Sequence, residues 1–284
     1  DQAGGTLKGT VKFDGKPKLD KKLKVDADPF CHKAHKDAPL RKARYVFGKN
    51  NTLQNVFVYV SKGLEGQEFP APTTPAILDQ SGCVYMPHVS GVVGDQPLEI
   101  RNGDDTLHNV KVNSKNNGKE NKAKPAGSKP LTKTFKKPEI AAEYQCDVHS
   151  WMGAYIHVME HPFFAVTQDD GTFEIRGLPP GEYEVSVWHE FSKYFKPDKP
   201  SVTVQVDDGQ TVDIPFTYAP KPKKKKKAGT ITDAIPDAKS AQTAGSDASL
   251  GRIRTSKLTI TTKKPSAKTW FWIHPSPEYR GKYK

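Results

Sequence analysis

Cys146-Asp147-Val148-His149-Ser150-Trp151-Met152 carries a thiol, an imidazole and a thioether at the spacing C-x2-H-x2-M. Upstream, Thr106-Leu107-His108-Asn109-Val110 offers a second imidazole. Sulfur ligands favour Cu(I), imidazole serves Cu(I) and Cu(II) alike, and a weak axial thioether tunes the potential of an ion held by two His and one Cys. Three donors on one short loop, closed by a His from a distant strand, fit the rim of a β-sandwich. The flanking runs read as strands: Glu143-Tyr144-Gln145 leads into Cys146, and Val110-Lys111-Val112-Asn113 follows His108.

On these residues the chain resembles the cupredoxins. The contracted loop looks most like that of amicyanin, whereas plastocyanin has a longer gap between its His and its Met. The His108-Asn109 pair also matches the family, in which the Asn helps to fix the ligand loop. The resemblance implies a type 1 (blue) copper ion held by His108, Cys146, His149 and Met152, with Asn109 supporting them. It also implies that Cys146 gives the strong thiolate bond, His108 the buried imidazole and Met152 the tuning ligand. His149, in the ligand loop near the surface, is then the ligand through whose exposed edge an electron leaves. The other reading of these residues is a buried free Cys beside core histidines.

A second pattern lies outside this stretch. Gly5 to Phe13 alternates and ends at the turn Asp14-Gly15, and Leu53 to Val60 reads as a strand. Asp170-Gly171-Thr172-Phe173 opens a hairpin that turns at Pro179-Pro180-Gly181 and returns through Glu182 to Trp188. Ser201 to Val206 and Thr211 to Phe216 are two further strands, separated by Asp207-Asp208-Gly209. This pattern resembles the carboxypeptidase regulatory-like β-sandwich, with about a hundred residues intervening before its hairpin. The resemblance implies an all-β chain in which a cupredoxin Greek-key sandwich, residues 67–159, is inserted into a small sandwich made of residues 1–66 and 160–220. Two tandem sandwiches, with the N-terminal strands joining the cupredoxin sheet, are the other arrangement left open. Insertion at an exposed loop is physically tolerated. Within 67–159, Cys83 to Gly94 and Pro97 to Asn102 read as two strands that lead to His108.

Charge separates the last stretch from the rest. Residues 221–284 carry 16 Lys/Arg and 4 Asp/Glu, which accounts for the whole net charge of +12. A basic, Pro-flanked tail on a neutral body suits an acidic protein partner or an anionic membrane surface; nucleic acid is the weaker reading. Thr269-Trp270-Phe271-Trp272 adds anchoring aromatics of the kind recognition peptides use. Lys111 to Lys137 holds nine lysines and one Glu, so one side of the site's sandwich is expected to be basic.

Three cysteines leave two after Cys146, and Cys31 with Cys83 forms either one disulfide or two separate thiols. Cys31, His32 and His35 look like a second metal patch, but the donors are few and the neighbours are lysines, so this is the weaker reading. His88 reads as an edge-strand residue, with an extra ligand or redox relay as the weaker reading, and His157, His161 and His189 read as ordinary edge or core residues. Trp151, between two ligands, either faces a partner or packs the loop. The chain begins at Asp1, which reads as a mature extracytoplasmic (periplasmic) protein freed of a secretory signal, or as a trimmed chain. No apolar run approaches a membrane span.

No hydrolase triad, phosphate loop or nucleotide fingerprint is present, so the expectation is a non-enzyme. The ligand set points to an exported electron carrier, with a cytochrome or a membrane respiratory complex as partner and the tail as a tether. A structural or interaction subunit with an empty or vestigial site is the alternative from another class. A copper carrier ranks last, because the chain has no Met-rich or His-rich tract.

Overall fold

The alternation in Gly5-Thr-Leu-Lys-Gly-Thr-Val-Lys-Phe13 sets the first strand. In β1 (Gly5–Phe13), Leu7, Val11 and Phe13 point into a core while Lys8 and Lys12 point out. The computed structural model describes residues 4–17, 21–42 and 44–222. The tail readings at 223–284 lie outside these described residues.

After β1 come β2 (Phe57–Lys62), β3 (Ala76–Gln80), β4 (Tyr85–Met86), β5 (Val89–Val93), β6 (Leu98–Asn102) and β7 (His108–Asn113). Next are β8 (Lys119–Lys124), β9 (Leu131–Lys133), β10 (Glu139–Gln145), β11 (Gly153–Met159) and β12 (Phe164–Val166). The last are β13 (Thr172–Leu178), β14 (Gly181–Trp188), β15 (Phe195–Pro197), β16 (Ser201–Val206), β17 (Thr211–Asp213) and β18 (Phe216–Pro220). The α-helix among the described residues is α1 (Pro29–Ala34). The chain is thus nearly all β, a set of sandwiched sheets.

Two sheets are built from strands at both ends of the described chain. One runs β13-β1-β18-β15, with β17 also on β1, and the other runs β12-β2-β14-β16. β1 lies antiparallel to β13, with Leu7 opposite Ile175. Between these sheets Leu7, Val11, Val58, Val60, Ile175, Val185 and Phe216 form one core. The middle of the chain gives two more sheets, β5-β11-β10-β7-β8 and β4-β3-β6-β9. Their core contains Leu78, Leu98, Ile100, Val110, Val112, Tyr144 and Ile156, and it includes Cys146 and Met152.

Prolines explain where strands end early. The run Cys83 to Gly94 is not one strand: β4 and β5 belong to different sheets and part at Pro87, which has no N–H to give a ladder. Pro215 separates β17 from β18 in the same way. Leu53 is buried but lies outside the strand read from it, which begins at Phe57.

The two sandwiches meet through Phe57, Val89 and Met159, with Tyr59, Tyr155, Phe164 and Trp188 around them. Gly91 of β5 is a point of close approach. A Cβ there would lie 2.5 Å from the Phe164 ring. His157 is buried in this junction, with its ring stacked on Phe57 at 3.8 Å. Burial pushes its pKa down to about 3, so it is a neutral packing residue. His189 is held down to about 3 in the same way, chiefly by burial. Gly91→Ala is expected to cost about 1–3 kcal/mol by overpacking. Pairing it with Phe164→Leu should recover part of that loss in urea unfolding; equal losses for the single and double variants would contradict the close contact.

Candidate metal centre

The loop between β10 and β11 is closed at its base. Cys146 N donates to Met152 O at 3.3 Å, and Met152 N donates to His149 O at 2.9 Å. Asn109, the second residue of β7, holds the loop from the side. Its Oδ1 accepts from Asp147 N at 2.6 Å and from Val148 N at 3.3 Å. Asn109 Nδ2 donates to Asn121, which in turn donates to the Asp147 carboxylate. Lys111 completes the brace with an ion pair to Asp147 at 2.9 Å.

This bracing brings His108, Cys146 and His149 together, with their donor atoms within 4.8 Å of one another. Met152 is buried in the same core at the foot of the loop. The Nδ1 atoms of His108 and His149 face each other at 2.9 Å, with their rings edge to face. Cys146 Sγ accepts from His149 N at 3.4 Å. All four side chains read as ligands are buried.

Each imidazole is held from behind by a carboxylate. Asp104 Oδ2 lies 2.9 Å from His108 Nε2, and Asp28 Oδ2 lies 3.1 Å from His149 Nε2. Asp104 also accepts from the backbone N–H of Gly82 and Cys83. Asp28 caps α1 by accepting from Cys31 N, and it accepts from the Thr106 hydroxyl. A carboxylate can only accept, so each Nε2 carries a proton and each Nδ1 is turned toward the other ring. Two Nδ1 atoms 2.9 Å apart need a proton or a cation between them, a place that a proton on His108 fills in the metal-free protein and a metal ion can take over. The donor set of two imidazoles and a thiol therefore fits a metal ion.

The ionisation of these groups follows from the same contacts. Burial works against a charged His108, but Asp104 and Cys146 outweigh it and hold its pKa up at about 9. Burial opposes the Cys146 thiolate, yet hydrogen bonding from His108 and from backbone amides brings its pKa below the usual thiol value. Burial also raises Asp28, while Cys31 N, Thr106 and His149 bring it down to about 2.

The exposed edge expected for His149 is absent. His149 is only 2% exposed: Asp28 and Cys31 lie against it, and Leu23, Val25, Phe30 and Leu40 of the same segment pack with Cys31, Cys83 and Trp151 as a roof. The roof is fastened by a disulfide, Cys31–Cys83, with S–S 2.02 Å. Cys31 Sγ lies 3.7 Å from His149 Nε2. His35 Nε2 bonds Gly82 O at 2.7 Å, and Trp151 Nε1 donates to Cys83 O at 3.0 Å. Trp151 packs the loop, half-buried, with its ring 5.1 Å from that of His149. A bridge spanning 52 residues gives about 4 kcal/mol in the chain-entropy account. His88 ties the other side of the loop to the outer sandwich, bonding Gly153 O at 2.9 Å and Glu190 Oε1 at 2.6 Å.

Asp28 and Asp104 were not read as site residues from the sequence. Asp104 stands four residues before His108, and Asp28 precedes Pro29 as a helix cap does, so each left a local trace. The paired lysines temper the expectation of a basic side. Lys124 is buried, Lys111 binds Asp147, Lys122 and Lys133 bind Glu120, and Lys136 binds Asp95.

No family model and no curated protein matches the chain. Among solved structures it is similar to a purple cupredoxin from Nitrosopumilus maritimus, at 17% identity over 29% of this chain and 98% of that one, with a TM-score of 0.26. It is similar to amicyanin, in a Met-to-Ala mutant in the Cu(I) form, at 16% identity over 36% of this chain and 97% of that one, TM-score 0.27. A copper-containing nitrite reductase from Thermus scotoductus SA-01 matches at 20% identity over 36% of this chain and 26% of that one, TM-score 0.27. These matches are partial and their scores low, so they carry no argument about the site.

In the metal-free protein the ultraviolet thiolate absorbance of Cys146 is expected at a lower pH than that of an ordinary thiol, and His108→Gln should move it up. The stabilisation from His108 is complete below its ordinary pKa of 6.5 and is lost as pH rises through about 9. His108→Gln should therefore destabilise the metal-free protein more below pH 6.5 than above about 9, as read by denaturant unfolding.

Proposed function

We propose that the chain is a type 1 copper electron-transfer protein of extracytoplasmic location, acting as a subunit docked on a larger redox complex. The observation that carries this reading is the pair of Nδ1 atoms 2.9 Å apart beside a thiol of lowered pKa. His108, Cys146 and His149 would hold the ion, with the Met152 thioether as a fourth donor. Copper would supply a one-electron couple. The protein's own share is to fix both imidazoles by their Nε2 protons, to brace the thiolate loop through Asn109, and to keep water out.

A closed, roofed site supports electron transfer over catalysis, since a catalytic metal needs an open position for substrate. Trp151 offers a route to the surface in place of the covered His149 edge. The Cys31–Cys83 bridge supports an oxidising compartment. The proposed partner is a cytochrome or a membrane respiratory complex, engaged by the basic tail at an acidic protein or anionic lipid surface. Among the described residues no helix is long and apolar enough to cross a membrane. The outer sandwich is proposed to be carboxypeptidase regulatory-like, with residues 67–159 inserted in it; the pairing of β1 with β13 supports this.

Visible and electron-paramagnetic-resonance spectra of the copper-loaded protein test the reading. An intense thiolate-to-copper band that bleaches reversibly on reduction is expected, and Cys146→Ser should abolish it with the fold retained. A chain that stays colourless with copper would favour the structural-subunit reading. The roof should also make copper loss to a mild chelator slower than in Asp28→Ala, where the His149 anchor and the α1 cap are both gone.

A further inference from the structure

Two more donor groups flank the first. Asp28, Cys31 and His149 form one, and Cys83, Asp104 and His108 form the other, each with donor atoms within 4.8 Å. Their sulfurs are joined in the Cys31–Cys83 disulfide. A disulfide sulfur is a poor ligand, whereas a thiolate binds soft and borderline ions strongly. We propose that reduction of this bridge converts the roof into a second metal site. It would hold one soft or borderline ion between the Cys31 and Cys83 thiolates, with the Asp28 and Asp104 carboxylates beside them. The proposal does not depend on which ion the Cys146 site takes.

The geometry suits the exchange. The Cα atoms of the two cysteines are 5.8 Å apart. Two sulfurs each about 2.3 Å from a tetrahedral ion stand about 3.8 Å apart. Two cysteines with Cα atoms this close can place both sulfurs on one ion by side-chain rotation. Each carboxylate is already tied to the cysteine it would join. Asp28 accepts from Cys31 N at 3.0 Å, and Asp104 accepts from Cys83 N at 2.8 Å. Each also accepts an imidazole N–H, so a carboxylate bound to the ion would itself be hydrogen-bonded, as ligating carboxylates are. Both sulfurs are fully buried. Two buried thiolates without a cation would be costly, so binding and deprotonation are coupled.

The chemistry balances with a dithiol as reductant. The dithiol gives two electrons and two protons to the S–S bond and becomes a cyclic disulfide, and Cys31 and Cys83 become thiols. Ion binding then releases the two thiol protons.

The test uses the full chain as Cys146→Ser, in which Cys31 and Cys83 are the remaining cysteines. Any thiolate-to-metal band must then come from them. The protein is reduced with dithiothreitol without oxygen, desalted and titrated with Cd2+. One equivalent of Cd2+ with a saturating ultraviolet thiolate band is expected, and none in the unreduced protein. Asp28→Asn with Asp104→Asn should weaken binding about 10–100-fold; unchanged affinity would remove the carboxylates from the site. Two free thiols in a folded chain, with no band at excess Cd2+, would overturn the proposal. Loss of the β-sheet circular dichroism on reduction that Cd2+ fails to restore would overturn it as well. Failure of the blue-copper reading shows separately, in the spectrum of the unmutated chain.

Discussion

Two imidazole nitrogens that face each other at 2.9 Å govern the middle of this molecule. In water, neutral imidazoles would not hold that arrangement, because it sets lone pair against lone pair. Here each ring is pinned from behind by an acceptor-only group, and the pins are themselves anchored. Asp104 is locked by two backbone amides, and Asp28 by a helix start and a hydroxyl. The energy for this comes from ordinary sources: two sandwich cores, a braced loop and a disulfide. The site is thus pre-organised by groups that do not themselves belong to the donor set.

The roof changes how the donor set is used. An imidazole edge in solvent can meet a partner directly, whereas His149 meets Asp28 and a sulfur instead. Closure favours rigidity and exclusion of outside ligands. In the proposed electron-transfer reading, contact with a partner would fall to residues around the loop. Leu107 and Val148 are large apolar side chains left about half exposed, and each is the chain neighbour of one of the two facing histidines.

Local chemistry was legible in the sequence, and long-range closure was not. Donor identity and spacing marked Cys146, His149 and His108, because ligand chemistry admits few residue types. Alternation marked β1, β13 and β14, since a half-buried strand leaves a period of two in the sequence. The roof left no such trace, because nothing in residues 21–42 states what they will cover. The reading of Cys31 and Cys83 stayed open for the same reason: sequence gives no distance between them. The run from Cys83 to Gly94 was read through Pro87, where the missing N–H outweighs strand propensity.

The pairing of β1 with β13 and β18 also orders events during synthesis. β1 leaves the ribosome well before its neighbours, which lie at residues 172–178, 211–213 and 216–220. The inner sheets between them can form while β1 still waits. During that wait an alternating strand with Leu7, Val11 and Phe13 on one side is unpaired, and unpaired edges invite other chains. Closing so long a loop also slows the final step. The donor residues thus sit on strands and a loop whose own neighbours do not include β1.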